Sequence, residues 1–355
     1  MTKRIVIMAG GTGGHVFPAL AVAQSLIEKG WQVSWLGTHK GLESRVIPEN
    51  GIDIDYLSVA GIRGKGLLSK ISAVFGLFKA CLQAIKFLRH RKPDVVLGMG
   101  GFVAGPGGLM AKLLGIPLVI HEQNRVVGTT NRLLARVANQ VLEAFPDSFK
   151  KSVNAICTGN PLRKQFLAQL TERQSTTSAH KILIIGGSQG AQILNEIVPD
   201  AIAQWRKQTG DSTVQVRHQT GSAMQVQVAE CYQTLGIDAE VPAFIEDMVA
   251  AYQWAELLIC RAGAMTVSEV AAVGLPAIFV PLPNAIDDHQ TANAKFLTDA
   301  NAGLLLMQKN LNANTLAEQI TIILKNTAAI GQAAKQHARL DATEVVAAYC
   351  IAEAR

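Results

Sequence analysis

The sequence predicts an α/β protein built from two doubly wound parallel-sheet halves. Three observations carry that prediction. Apolar runs alternate with helical patterns through the first half, glycine-rich loops follow several of those runs, and one strand–loop pattern occurs twice. The repeated stretches are "RIVIMAGGTG" (4–13) and "KILIIGGSQG" (181–190), which align without gaps.

Strands are predicted at 4–8, 32–37, 53–57, 95–98, 118–121, 140–143 and 155–157, with helices between them, for example at 17–29 and 69–89. Strands separated by helices demand crossover connections, and hence a parallel sheet. "TGNPLRKQF" breaks the rhythm and "TERQSTTSAH" is polar, so 160–180 reads as the junction between halves. The expected division is a first domain over 1–160, a second over 161–335, and a C-terminal helix in 336–355 packing back on the first. Each half is expected to be Rossmann-like. Ligands in such sheets sit beyond the carboxyl ends of the strands, so two halves facing each other would enclose a cleft lined by glycine-rich loops from both.

Composition agrees with this class and excludes others. An apolar fraction of 49% with 31 glycines suits a protein rich in tight βα turns. The net charge of +6, from 33 basic and 27 acidic side chains, is mild, and aromatics are only 5%, so no nucleic-acid partner is expected. The basic charge is nevertheless local. No Asp or Glu lies between Asp55 and Asp94, an interval holding Arg63, Lys65, Lys70, Lys79, Lys86, Arg89, Arg91 and Lys92. Cys81, Cys157, Cys231, Cys260 and Cys350 are scattered without a C-x-x-C, which reads as reduced thiols rather than a disulfide frame or zinc site. The start of the chain runs straight into a strand, predicting no signal peptide. No uncharged apolar run reaches the roughly 18 residues of a spanning helix. A cytoplasmic protein is expected.

The first glycine loop, "MAGGTGGHVFP" (8–18), is neither the dinucleotide pattern, because Val16 breaks G-x-G-x-x-G, nor a P-loop, because no Lys-Ser/Thr follows. A dinucleotide oxidoreductase is disfavoured on that ground. Glycines permit positive φ and close backbone approach, and the N–H groups at a following helix start hold anions. Packing alone could account for one such loop. A second at 186–191 and a third, "GMGGFVAGPGG" (98–108), favour a ligand. His15 follows the first loop at a helix start. An imidazole there could take a proton near neutral pH or only hydrogen-bond a substrate. His121 beside Glu122, and His289, are secondary candidates. "DID" (53–55) matches D-x-D, but alternation puts both carboxylates on one face of a strand, which reads as a sheet edge; no metal cofactor is expected.

Five stretches occur in one order: "GGTGGHVFPALAVA", "HEQN" (121–124), "GNPLR" (159–163), "GGSQGA" (186–191) and "CRAGAMTVSEVAAVGLPAIFVPLPNAIDDHQTANA" (260–294). In register from residue 4 to about residue 294, the chain resembles the MurG family of bacterial glycosyltransferases. The resemblance implies a glycosyltransferase-B fold and inverting transfer of N-acetylglucosamine from UDP-N-acetylglucosamine to the undecaprenyl-linked muramyl-pentapeptide. It implies no cofactor, and peripheral attachment at the cytoplasmic face of the plasma membrane.

It also implies residue roles. Ala264, Met265, Thr266, Val267, Ser268 and Glu269 would bind the nucleotide, with Glu269 on the ribose hydroxyls. Ile245 in "FIEDM" would meet uracil through its backbone. Ser188 and Arg163 would lie on the diphosphate side, and Asn124 and Gln290 would offer amides to sugar hydroxyls. Thr12, Gly13 and Gly14 would line the substrate, and His15 would be the catalytic base or a binder. Plainer roles stand beside these: a first-turn acid for Glu269, a linker arginine for Arg163, turn caps for Asn124 and Gln290. Arg125 stands where many members of the family have a small residue.

In 67–92, Ile71, Val74, Phe75, Phe78, Leu82, Ile85 and Leu88 recur at helical spacing beside Lys70, Lys79, Lys86 and Arg89. The pattern alone reads as a core-packing helix with a solvated basic face. The lipid acceptor implied by resemblance makes it an interfacial face for an anionic membrane, with the basic loop "GIRGKG" (61–66) near the acceptor diphosphate. Two rival functions share the sequence features: a UDP-N-acetylglucosamine 2-epimerase of the same fold, and a nucleotide-sugar-binding module without turnover.

Overall fold

The computed structural model describes residues 2–58, 67–170, 179–187, 190–211, 213–283 and 285–355. The chain divides into two compact units, one of Met1–Lys164 with Arg339–Arg355, the other of Gln165–Ala338. The first runs β1 (Arg4–Met8), α1 (Gly13–Glu28), β2 (Gln32–Gly37), α2 (Glu43–Glu49), β3 (Asp53–Tyr56), α3 (Leu67–Arg91), β4 (Val95–Gly98), α4 (Ala104–Leu113), β5 (Leu118–Glu122), α5 (Thr129–Leu134), β6 (Gln140–Glu143) and β7 (Ile156–Cys157). From α6 (Lys164–Ala168) at the border, the second continues with β8 (His180–Ile185), α7 (Gln192–Thr209), β9 (Val214–Gln219), α8 (Gln225–Thr234), β10 (Asp238–Glu240), α9 (Met248–Trp254), β11 (Leu257–Cys260), α10 (Ala264–Val273), β12 (Ala277–Phe279), α11 (His289–Thr298), β13 (Leu304–Leu305), α12 (Ala313–Leu324) and α13 (Thr327–Gln336). The last helix, α14 (Ala342–Glu353), belongs to the first unit.

Both sheets are parallel throughout. The first has the order β3-β2-β1-β4-β5-β6-β7 and the second β10-β9-β8-β11-β12-β13. A parallel strand is buried on both faces and needs apolar residues at every position, and β1 meets that demand. Ile5 and Ile7 pack on one side with Val16 and Leu20 of α1 and with Val346 and Cys350 of α14. Val6 and Met8 pack on the other with Leu88 of α3 and Met110 of α4. The repeat at β8 follows the same logic, with Ile182 and Ile184 against Leu194 and Val198 of α7 and Leu316 and Ile320 of α12.

The helices differ in detail from the sequence expectation. α1 starts at Gly13 rather than 17, because the Thr12 carbonyl accepts the N–H groups of His15 and Val16 and draws the glycines into the first turn. β5 extends to Glu122, which pairs with Glu143 of β6. Among the described side chains of α3, the buried ones are Ala80, Ala84 and Leu88, spaced four apart. Of the expected core stripe Leu88 is buried, whereas Phe75 is 73%, Phe78 63% and Leu82 53% exposed. α14 is anchored to the first unit by the fully buried Val346, Ala347 and Cys350 and by the Thr343 hydroxyl, which donates to Leu162 O at 2.7 Å.

Candidate active site

Each sheet reverses its strand order once, between β1 and β4 and between β8 and β11. At such a switch the chains leaving neighbouring strands turn to opposite faces and open a crevice at the carboxyl edge. In the first unit α1 packs on one face and α4 on the other, so the first and third glycine loops border that crevice. Their backbones touch. Gly101 has φ +78°, and a Cβ there would lie 2.5 Å from Gly10 O, so only glycine fits. Glu43, fully buried, ties the first loop to the chain after β2. Its carboxylate accepts the Gly11 N–H at 2.9 Å, the Thr38 N–H at 2.9 Å and the Thr38 hydroxyl at 2.7 Å. Nothing in "GLESRV" distinguishes Glu43 from an ordinary first-turn acid, and sequence reasoning missed it.

His15 lies half-buried in the first turn of α1, with Nδ1 2.6 Å from Oε1 of Gln123 at the end of β5. A Cβ on Gly100 would approach the His15 ring to 3.0 Å, so the third loop also borders it. Thr12 is exposed and extended at the N-cap, and α1 has no acid in its first turn. The N–H groups of Gly13 and Gly14 open the helix where no intrahelical carbonyl reaches them, which suits an anionic ligand. His121 is fully buried, with Nε2 2.9 Å from Gly159 O, and desolvation pushes its pKa down to about 4. A ring so enclosed is a structural element, which corrects its standing as an acid–base candidate. The buried Glu122 accepts the Asn124 N–H at 3.0 Å, the Gly128 N–H at 3.1 Å and Asn131 Nδ2 at 3.0 Å, shaping the loop that carries Asn124. Arg163 is in the first unit, its guanidinium 5.4 Å from the centroid of the Phe17 ring, which steadies it beside α1.

In the second unit, the loop after β11 leads into α10, whose first residues are the sequence-predicted nucleotide contacts. Ala264 is buried. Met265, Thr266, Ser268 and Glu269 are half-exposed. Val267 is fully buried and its N–H donates to Gly263 O at 3.0 Å, so its side chain serves the core rather than a ligand. The Ser268 hydroxyl donates to Ala264 O at 3.0 Å within the helix. Glu269 Oε2 accepts the hydroxyl of Tyr252 at 2.9 Å; Tyr252 is buried on α9 and meets Phe166 edge-on. Tyr252 was not legible as a site residue, because it is distant in sequence and reads as core. Arg261 donates to Val280 O at 3.0 Å and Pro281 O at 3.1 Å, tying the ends of β11 and β12, and burial lowers its pKa. Gln290 Oε1 accepts the Leu282 N–H at 3.0 Å, a turn contact that leaves its NH2 group for a ligand. Ile245 is partly exposed between β10 and α9, and His289 opens α11. Ser188 and the 61–66 loop lie outside the described residues.

The D-x-D string has a different partner. Asp53 and Asp55, on edge strand β3, both accept from Arg91 at 2.8 Å. Among the described residues, no group of three or more His, Cys, Asp or Glu is arranged to hold a metal.

α3 packs against α4 and α4 against α5. Phe75, Phe78 and Leu82 of α3, Leu109 and Leu113 of α4 and Leu133 of α5 are exposed there, beside the exposed Lys79, Lys86 and Arg89. Among the described residues, no helix is long and apolar enough to cross a membrane.

Comparison with known proteins gives a consistent result. Residues 5–143 match the glycosyltransferase family 28 N-terminal domain and residues 181–348 the family 28 C-terminal domain. A relative from Methylococcus capsulatus is 57% identical over 100% of this chain and 99% of its own. One from Shewanella sp. strain MR-4 is 50% identical over 99% and 97%. Both are named UDP-N-acetylglucosamine–N-acetylmuramyl-(pentapeptide) pyrophosphoryl-undecaprenol N-acetylglucosamine transferase. The crystal structure of Acinetobacter baumannii MurG superposes with a TM-score of 0.84 at 41% identity, covering 99% of each chain.

The buried histidines set an acid limit on stability. An unfolded histidine takes up a proton near pH 6.5, whereas His121 resists to about 4 and the buried His218 to about 3. Their folded pKa values are depressed, so the stability they lend is complete above about 6.5 and is lost as pH falls towards those values. For His121 the difference corresponds to up to about 3 kcal/mol. His121→Gln is expected to flatten the decline of unfolding free energy between pH 6.5 and 4, measured by urea titration at each pH. An unchanged decline would mean that the ring protonates freely in the folded state.

Proposed function

The chain belongs to glycosyltransferase family 28, and from that premise we propose that it transfers N-acetylglucosamine from UDP-N-acetylglucosamine to undecaprenyl-diphospho-N-acetylmuramoyl-pentapeptide. This is the step from lipid I to lipid II in peptidoglycan synthesis. The observation that carries the reading is 57% identity over the full chain to a relative of that name.

The residue roles proposed are those the family resemblance implies, set beside the chemistry of the step. The acceptor hydroxyl oxygen attacks the anomeric carbon as its bond to the diphosphate breaks, and UDP leaves with the bonding pair. Direct displacement inverts the centre from α to β. The hydroxyl proton goes to His15, half-buried at the first-loop crevice. Glycine-loop N–H groups at Gly13 and Gly14, with Thr12 and Arg163, stabilise negative charge without requiring a cation. On the donor side, Glu269 accepts the ribose hydroxyls, steadied by Tyr252. Thr266 and the small residues Ala264 and Gly263 admit the diphosphate, Ile245 meets uracil, and Asn124 and Gln290 bind sugar hydroxyls. The exposed apolar and basic side chains of α3 and α4 rest on the anionic cytoplasmic leaflet, making the enzyme a peripheral one that serves wall growth, cell shape and division.

Incubation with labelled UDP-N-acetylglucosamine and the lipid-linked muramyl-pentapeptide should move label into lipid. Absence of labelled lipid overturns the reading, and interconversion of the free nucleotide sugar would replace it with the isomerase. His15→Ala should lower turnover about a hundredfold or more while donor affinity changes little. If only the acceptor KM rises, His15 binds without moving a proton.

Glu269→Ala should weaken UDP binding by about 1.5–3 kcal/mol, the cost of a lost charged hydrogen bond. Calorimetry on the folded variant measures this directly, and unchanged affinity removes Glu269 from the site.

Replacing Lys79 and Lys86 by Glu should reduce sedimentation with anionic vesicles while activity on a short-chain, water-soluble acceptor is retained. Salt should weaken the wild-type association without abolishing it, because apolar contact remains. Unchanged vesicle binding would assign α3 another surface role.

A further inference from the structure

The buried side chains behind His15 form a chain of hydrogen bonds whose donors and acceptors can be assigned in only one way. It begins at His121. Burial keeps this imidazole neutral, with its pKa down at about 4, so it carries one N–H. Its Nε2 is 2.9 Å from the carbonyl oxygen of Gly159, which can only accept, so the hydrogen is on Nε2 and Nδ1 bears a lone pair. One end of the Gln123 amide lies 3.0 Å from that Nδ1 and 3.0 Å from the His121 carbonyl oxygen. Both are acceptors, so this end is the NH2 group. A reversed amide would set oxygen against two acceptors inside a fully buried pocket. The other end, Oε1, therefore faces His15 Nδ1 at 2.6 Å and can only accept.

We propose that Gln123 is a positioning residue that holds His15 in its Nδ1–H tautomer, leaving the lone pair on Nε2 for the acceptor proton. The inference rests on the reading of His15 as the base and adds the group that sets which nitrogen does the work. Gln123 is fully buried behind His15. Its backbone is fixed from behind, because Asn160 Nδ2 donates to Gln123 O at 3.1 Å, and the loop after β7 thereby anchors His121 through Gly159 and Gln123 through Asn160. The logic is that of a histidine base oriented by a third group, here a neutral amide rather than a carboxylate. A neutral amide fixes the tautomer through hydrogen-bond direction alone.

The test is long-range 1H–15N correlation on the histidine-labelled full chain, with His15 signals assigned by their loss in His15→Ala. The wild type is expected to show the Nδ1–H pattern for neutral His15. Gln123→Met, which keeps length but removes both amide functions, is expected to shift His15 towards Nε2–H. It should lower kcat about ten- to a hundredfold, as loss of a group orienting a functional histidine does, with the KM for UDP-N-acetylglucosamine little changed. An Nε2–H pattern in the wild type overturns the assignment whatever the activity, and needs no Gln123 variant to fold. A Gln123→Met chain with unchanged tautomer and kcat overturns it too. Full turnover in His15→Ala would instead overturn the base reading while the tautomer spectrum still reports on Gln123.

Discussion

The constraint on which this structure depends is that every strand is parallel. All chain segments leaving the carboxyl ends of β1, β4 and β5 emerge on one edge of one sheet, and those leaving β8 and β11 do the same in the other. Parallel strands require crossovers, and crossovers require helices on both faces. The single reversal of strand order in each sheet then parts two of those crossovers and opens a crevice. In the first sheet the glycine loops border this place because backbone must approach backbone there, as Gly101 does to Gly10; in the second, Gly190, at φ +75°, makes a similar close approach to Thr220 O at the end of the neighbouring β9.

Glycine-rich backbone has little side-chain packing to hold it, and buried carboxylates supply that hold. Glu43 fixes the first loop and Glu122 the loop after β5, each accepting from two or more backbone or side-chain donors. Buried acids of this kind are costly unless their oxygens are satisfied. Satisfied, they convert a permissive loop into a defined one. The second unit uses a different device at its corresponding edge, a half-buried arginine, Arg261, that gathers two carbonyls beyond β12.

The same fold leaves one surface incompletely covered. Small alanines on the inner side of α3 let it lie close to the sheet. Phe75, Phe78 and Leu82 are exposed on α3, in a stretch without acids, and Leu109 and Leu113 are exposed on α4, which packs against it. Exposed apolar area beside basic charge is the observation on which the proposed membrane face rests.

By itself, the amino-acid sequence determined the class of fold, the strands of the first half to within a residue or two, and the family. Those features are local: apolar runs, glycine loops and motifs occupy contiguous stretches. The sequence also offered His15 as a candidate, because the histidine sits inside a motif. Only the tertiary structure decided what stands behind it. Gln123 and His121 lie more than a hundred residues away in the chain, and their roles follow from burial and donor–acceptor matching across β1, β4 and β5. Helical spacing in α3 could not say which side faces the sheet, since Ala80 and Ala84 form as good a stripe as Phe75 and Phe78; the closeness of α3 to its neighbours chose the small residues. Asp53 and Asp55 likewise became an ion-pair site only when the end of α3 brought Arg91 against the edge strand. Periodicity records which residues share a face, and packing selects the face that is buried.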